Sequence, residues 1–425
     1  MPDDNRALVL TVGTGTADQL EETLLTPLRK SIEKGQWAKI VLLPSKQTEG
    51  NAFALRDAHA QYPIEVRSLR RVGDEEDVDA CFEHFERQLA VLLEAGYAPA
   101  GVTADFTRGT KAMSAALVLA SIVHGIRTLR YITSPRRDSR GMVVPGTEAP
   151  SDFSIARIIV RRELERALQL IRAGQFAAAE RICSIPPAGP LGNDVRWANW
   201  AAQFWGCWDR FEYRAAESLS EASGLPRRPA WIKEFWPSDG NLKFLRRLGP
   251  KLPEPMEQRA AVCRILAADI LANARRRLAD GQTEEVLVRA YRVLELVGQY
   301  RLLGRGLDSG DLRPPKEWEK ELAAEGSPLR PNKDGKIEIA RKLGARLLEH
   351  LGDPLAGSLL DLNWVGEISL TARNKSILIH GFSSRTGGRK DKVEILLSRV
   401  ETFYCEENPG NPARLGAARF PFLSS

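Results

Sequence analysis

Cysteine and histidine are scarce, five of each in 425 residues. The cysteines Cys81, Cys183, Cys207, Cys263 and Cys405 are odd in number, widely scattered and never form a C-x-x-C pair. This excludes a disulfide framework and a cysteine zinc site. No apolar run reaches the roughly 18 residues needed to span a membrane. The opening stretch, MPDDNRALVLTVGTG, has two acids where a signal peptide carries bases, and its apolar run is short. A reduced, cytoplasmic protein is expected. Neither sign of charge dominates: 61 Lys and Arg against 55 Asp and Glu leave a net charge of +6. That excess permits an anionic partner but is too diluted to identify one. With 43% hydrophobic and 27% charged residues the chain is neither disordered nor fibrous. Its length suits two or three domains at about 150 residues each.

The first 135 residues alternate between strand and helix signals. Residues 7–12 are a continuous apolar run, as in a strand buried on both faces. Leu20, Leu24, Leu28 and Ile32 follow at i+4 spacing on one helix face, and Gly35 ends that helix. Further strands are expected at 39–43, 64–69, 101–106 and 128–133, with helices at 51–60, 77–96 and 111–124 between them. This order predicts an α/β domain, a mostly parallel sheet with helices on both faces. Ligands of such sheets bind outside the C-terminal ends of the strands. Residues 134–152, rich in Pro, Gly, Ser and Arg, read as a loop or hairpin leaving the domain.

Beyond residue 153 the strand signals largely vanish and an all-α region is expected. Residues 161–183 form a helical hairpin similar to one tetratricopeptide unit, without the run of repeats that would make a solenoid. Six tryptophans fall between 197 and 236. Their spacing suits buried helix faces better than an exposed base-stacking platform. Pro-rich breaks at 225–229 and 250–255 mark a boundary. Helices are expected at 256–278, 284–303, 337–351, 354–379 and 391–404, and a loosely structured tail after Cys405.

Two segments sit where a ligand of the sheet would lie. The first strand runs into Thr11-Val12-Gly13-Thr14-Gly15-Thr16, whose small residues let backbone approach a ligand. A dinucleotide fingerprint would need glycine at position 18, which is Asp18, and no GK[ST] follows for a P-loop. The fourth strand runs into Asp105-Phe106-Thr107-Arg108-Gly109-Thr110-Lys111. There hydroxyls, a guanidinium, an ammonium and a helix start converge, the donors and cations a phosphodiester needs. Asp105 and Thr110 also suit plain capping roles.

Together these segments resemble the CARF domain, the Rossmann-like sensor of cyclic oligoadenylates in CRISPR systems. Members carry a small-residue loop after strand one and a D-x-T-G-G-T-K-like segment after strand four. The chain matches at Asp105, Thr107, Gly109, Thr110 and Lys111 and departs at Arg108, where glycine is common. The resemblance spans about residues 5–150. It implies a homodimer that binds one cyclic oligoadenylate, of four or six units, across its two-fold axis. The implied lining is Thr11, Gly13, Thr14, Gly15, Thr107, Arg108, Gly109, Thr110 and Lys111. Arg136, Arg137 and Arg140 add charge nearby, with a solvated basic loop as their default.

Near the C-terminus stands Arg373-Asn374-Lys375-Ser376-Ile377-Leu378-Ile379-His380. Seven residues on a helix bring Arg373 and His380 to one face, roughly 10 Å apart along the axis. Two copies meeting across a dimer would pool both pairs in one cleft. The spacing resembles the HEPN ribonuclease signature, R-x(4–6)-H with Asn after the Arg, and residues 284–303 resemble the first long helix of CRISPR-associated HEPN domains. As a plain alternative, His380 precedes Gly381 and suits a helix C-terminal turn. His59, His84, His124 and His350 have no partner in motif spacing and read as structural.

The resemblance implies a sensor over 1–150, a helical linker over 151–255 and a HEPN helical bundle over 256–425. The expected function is cleavage of single-stranded RNA in type III CRISPR defence, without metal or cofactor. Arg373, Asn374 and His380 are the candidate catalytic residues. No membrane or DNA partner is expected, since no helix-turn-helix with a basic recognition helix is found. Rivals are a non-catalytic sensor and a CARF protein that degrades its own activator. A nicotinamide enzyme is disfavoured because no acid ends strand two, Leu42-Leu43-Pro44-Ser45.

Overall fold

A computed structural model describes residues 5–15, 20–134, 136, 144, 147–184, 191–249, 251–313, 331–361 and 390–423. The chain divides into two compact units, 1–165 with 186–192, and 166–185 with 193–425.

The first unit is built on a six-stranded sheet. Its strands are β1 (Ala7–Val12), β2 (Lys39–Pro44), β3 (Ile64–Val66), β4 (Val102–Asp105), β5 (Thr128–Thr133) and β6 (Ala149–Ser154), in the order β3-β2-β1-β4-β5-β6. The first five pair in parallel and β6 runs antiparallel to β5. Helices α1 (Thr26–Glu33), α2 (Glu49–Ala58), α3 (Val78–Glu94) and α4 (Lys111–Val123) fill the crossovers.

All six residues of β1 are buried because the sheet is covered on both faces. Ala7 and Val9 join a core with Phe85 and Leu89 of α3 and Met113 and Leu117 of α4. Leu8, Leu10 and Val12 join a second core with Leu28 and Ile32 of α1 and Leu55 of α2. Each fully buried Leu or Ile contributes about 1.5–3 kcal/mol. A single wide π-turn, Glu21–Leu25, precedes α1, and the N–H of Thr26 bonds the Glu21 carbonyl, five residues back. Pro27, at the start of α1, lacks an N–H, so regular i→i−4 bonding fails just there.

Of the loop or hairpin expected over 134–152, the hairpin forms, but β6 stays in the sheet rather than leaving the domain. Its sequence, APSDFS, holds a proline and no β-branched apolar residue, so Phe153 is its one strand-favouring residue. A full six-residue ladder with β5 forms it, with Arg130 opposite Asp152. Arg130 is buried, and its guanidinium donates to both Asp152 oxygens at 2.6 and 3.0 Å and to the Ser31 carbonyl at 2.7 Å.

The second unit is helical. α5 (Ala156–Arg172) enters it from the first unit, followed by α6 (Phe176–Cys183), α7 (Gly192–Asp209), α8 (Tyr213–Ser220) and α9 (Asp239–Leu248). Then come α10 (Met256–Ala279), α11 (Thr283–Leu303), α12 (Arg341–His350), α13 (Ala356–Leu360), α14 (Lys390–Glu407) and α15 (Asn411–Ala418). α10 and α11 pack as a long hairpin, with α14 against both, α15 on α10 and α12 on α11. No described helix is long and apolar enough to cross a membrane.

The tryptophans form a core, as their spacing predicts. Trp205 and Trp208 of α7 are fully buried and donate to the Phe235 carbonyl and to Asp269, each at 2.8 Å. Trp200 is buried and stacks with Phe204 and Trp236, so it is not open to a base. The tail corrects its expectation: residues 411–418 are helical, and Phe420 packs on Trp205 and Trp208. Its apolar groups find a partner some 210 residues away, which no local pattern records.

Candidate functional site

The strand order reverses between β1 and β4, since β1 leads outward to β2 and β4 leads the other way to β5. The crevice at such a switch point, outside the C-terminal strand ends, is where open α/β sheets hold ligands. The loops after β1 and β4 meet there. A Cβ on Gly13 would lie 2.7 Å from the Gly109 nitrogen and 3.0 Å from its Cα. The Thr11 hydroxyl donates to the Arg108 carbonyl, which ties the two loops together. From the β2 side, Thr48 Oγ1 donates to the Val12 carbonyl at 2.9 Å and Asn51 Nδ2 to the Gly13 carbonyl at 3.2 Å.

Asp105 organises the β4 loop from beneath. It is fully buried and accepts from the Ser31 hydroxyl, the Thr107 hydroxyl and the Thr107 N–H, the last at 2.9 Å. Burial raises its carboxyl above the usual range, opposed by those hydrogen bonds and by Arg130. The Thr107 hydroxyl also accepts from the Ile132 N–H at 2.9 Å. A continuous polar chain therefore runs Asp152–Arg130–Ser31–Asp105–Thr107–Ile132 through β6, β5, α1 and β4. Thr110 caps α4, accepting from the Met113 N–H at 3.1 Å while its hydroxyl donates to the Glu75 carbonyl.

The nine expected lining residues thus differ in availability. Thr11 is fully buried, and the hydroxyls of Thr11, Thr107 and Thr110 are engaged within the loops. Gly13 and Gly109, the latter with φ +112°, let the backbones approach. Thr14, Gly15 and Lys111 are exposed, and Arg108 is half-buried. Arg136 is exposed, while Arg137 and Arg140 lie outside the described residues. The supporting residues Ser31, Thr48, Asn51, Arg130 and Asp152 escaped the sequence reading. Arg130 alone left a signal, a charge in the apolar run of β5.

In the second unit, Arg373, Asn374 and His380 lie outside the described residues, between α13 and α14. An ionic cluster joins α11, the turn between α12 and α13, and α14. Arg301 of α11 donates to both Asp353 oxygens at 2.9 Å and to Glu407 Oε1 at 2.9 Å. Burial works against its charge, but the two carboxylates outweigh it and hold its pKa above the usual value. Glu407 also accepts from Tyr300 at 2.7 Å and Asn411 at 3.0 Å. His59 and His84 bond backbone carbonyls at 2.9 and 3.0 Å, and His124 faces Glu86 at 3.1 Å. Among the described residues no group of three or more His, Cys, Asp or Glu could hold a metal ion.

Residues 256–405 match the family described as the Csm6 HEPN domain, a span that contains Arg373, Asn374 and His380. No curated protein matches the chain. Among solved structures, Enterococcus italicus Csm6 bound to cyclic hexa-2′-fluoro-hexa-dAMP aligns with a TM-score of 0.56 at 14% identity, covering 95% of each chain. Can2 from Sulfobacillus thermosulfidooxidans in complex with cyclic tetra-adenylate aligns with a TM-score of 0.24 at 14% identity, over 51% of this chain and 69% of that one. The second likeness is too slight to argue from. Residues 256–405 therefore match a Csm6-type HEPN domain, and the chain as a whole has a Csm6-like fold.

Proposed function

We propose that the protein is a cytoplasmic, antiviral endoribonuclease of type III CRISPR defence, switched on by a cyclic oligoadenylate and cutting single-stranded RNA without a metal. The observation that carries this reading is the Csm6 HEPN match over 256–405, which encloses the R-N-x5-H motif. The division is a Rossmann-like sensor over 1–150, a helical linker over 151–255 and the HEPN nuclease over 256–425. The strand-end crevice supports the sensor role, and the Enterococcus italicus relative holds a cyclic hexanucleotide analogue.

RNA carries its own nucleophile, the 2′-hydroxyl. In the proposed reaction the 2′-oxygen bonds to phosphorus as its proton leaves to a base. The P–O5′ bond then breaks, and the 5′-oxygen takes a proton. Products are a 2′,3′-cyclic phosphate and a 5′-hydroxyl. Arg373 supplies a fixed cation to the non-bridging oxygens, and His380, with a reference pKa near 6.5, moves the proton. Asn374 hydrogen-bonds a phosphate oxygen or orients the histidine. The working unit is a homodimer. α4 supports it: no charge follows Lys111 along the helix, and Leu119 and Val123 are 47% and 50% exposed on its outer side. Activator binding favours cleavage only to the extent that it prefers the competent arrangement.

The test incubates fluorescent single-stranded RNA with the protein in EDTA, with and without cyclic tetra- or hexa-adenylate, beside Arg373→Ala and His380→Ala. Ligand-dependent cleavage by the wild type alone is expected, and the ring that triggers it fixes the activator. Full activity in either variant would remove that residue from the site. Silence with both rings, in a protein shown by calorimetry to bind one, would favour a non-catalytic sensor.

A further inference from the structure

Among the described residues at the sheet's switch point, Arg108 is the cation whose side chain is half-buried and yet unpaired. Its main chain is pinned, because its carbonyl accepts the Thr11 hydroxyl and Gly109 beside it touches the β1 loop. Its side chain is half-buried, yet Nε is buried without a hydrogen-bond partner, and no ion pair to the guanidinium forms among the described residues. Three groups face it electrostatically, Tyr131, Glu148 and Asp105. Both nearby carboxylates are held by other partners. Glu148 pairs with Lys30 at 3.1 Å, and Asp105 is held by Ser31 and Thr107. Burial accordingly pulls the guanidinium below its ordinary pKa, with those anions only partly opposing it. A guanidinium is built for bidentate pairing with an oxyanion, and leaving one desolvated and unpaired is costly.

We infer that Arg108 is an anion anchor, its guanidinium held unpaired on the loop after β4 so that a ligand phosphodiester supplies its missing partner. This deepens the proposed function by assigning one phosphate of the activator to one residue. It also gives the Arg at this position, where related loops carry glycine, a role of its own in affinity. The anchor has an opposite-sign signature. A residue that merely stabilises the loop destabilises the apo protein when neutralised. An unpaired anchor does the reverse, because its removal relieves a buried N–H left without an acceptor while weakening ligand binding.

The test compares wild type, Arg108→Gln and Arg108→Lys by calorimetry with cyclic tetra- and hexa-adenylate at three salt concentrations, and by thermal denaturation without ligand. The glutamine variant is expected to lose about 10–100-fold in affinity, with the slope of log K against log salt falling by about 0.7, one phosphate contact. The lysine variant should keep the salt slope and lose part of the affinity, since it retains charge without the fork. The apo midpoint of the glutamine variant should equal or exceed that of the wild type. Unchanged affinity and slope, or a lowered apo midpoint, would overturn the anchor while leaving the activator assignment intact. If the wild type binds neither ring, the activator assignment fails by itself. Arg108 is then judged with inorganic phosphate: a phosphate-dependent rise in midpoint that Arg108→Gln lacks sustains the anchor, and its absence refutes it.

Discussion

The contact between the β1 and β4 loops can be tested at one atom. Gly13 has a φ outside the left-handed region, so alanine there carries no backbone strain of its own. The added Cβ, however, would lie 2.7 Å from the Gly109 nitrogen and 3.0 Å from its Cα. That is about 0.8 Å inside the ~3.5 Å at which non-bonded heavy atoms rest. The obstacle is backbone, so no side chain can swing aside. Either loop must shift, breaking the Thr11–Arg108 or Asn51–Gly13 bonds that fix them. Overpacking of this kind costs roughly 1–3 kcal/mol. For a unit of this size that lowers its unfolding midpoint by about 2–12 °C. Gly125→Ala is the control, because its φ is +72° and nothing lies within 4 Å of an added Cβ. It suffers only the left-handed penalty of about 1 kcal/mol. Calorimetric melting of the first unit and titration with cyclic oligoadenylate are measured for both variants. Gly13→Ala should lose at least tenfold in ligand affinity, and Gly125→Ala should bind as the wild type does. A Gly13→Ala protein that melts and binds like wild type would refute the loop contact.

Arg130→Met removes a buried fork while keeping apolar bulk against Trp37. Because Asp152 is 34% exposed, the loss is discounted to about 1–3 kcal/mol, read by urea denaturation. Arg130 also holds the Asp152 carboxyl below its ordinary pKa, so this stabilisation is present at neutral pH and fades as pH falls through the depressed value. Asp269 behaves oppositely: burial pushes its carboxyl from 3.8 up to about 6. The folded state then binds the proton more tightly, so this group's contribution to stability is fully present below pH 4 and is lost as pH rises through about 6, by roughly 2–3 kcal/mol. Asp269→Asn should flatten that slope in urea midpoints measured between pH 4 and 7, and an unchanged slope would assign it to other groups. Leu119→Glu, on the outer side of α4, should lower the dimer fraction in sedimentation and ligand-dependent RNA cleavage with it. A dimer that persists undiminished would place the interface elsewhere.

Local pattern was enough for the core of the α/β unit. The nearly all-apolar β1, the i+4 apolar residues leading into α1 and the α4 segment with no charge after Lys111 state their burial in their own composition, because helix and strand periodicity is a property of neighbouring residues. The Asp105–Lys111 segment likewise marked the turn from β4 into α4, and R-N-x5-H lies in a span that falls inside the HEPN match. Tertiary structure decided the rest. β6 exists because β5 offers a ladder and Arg130 a counter-charge. The tail is helical because α7's tryptophans receive Phe420. Thr11 became a tie between the two loops once they met, Thr107 and Thr110 were taken up by Asp105, Ile132, Met113 and Glu75, and the Arg108 Nε was left buried without a partner. Which polar groups pair with one another depends on distances between segments far apart in the chain, and periodicity holds no record of those.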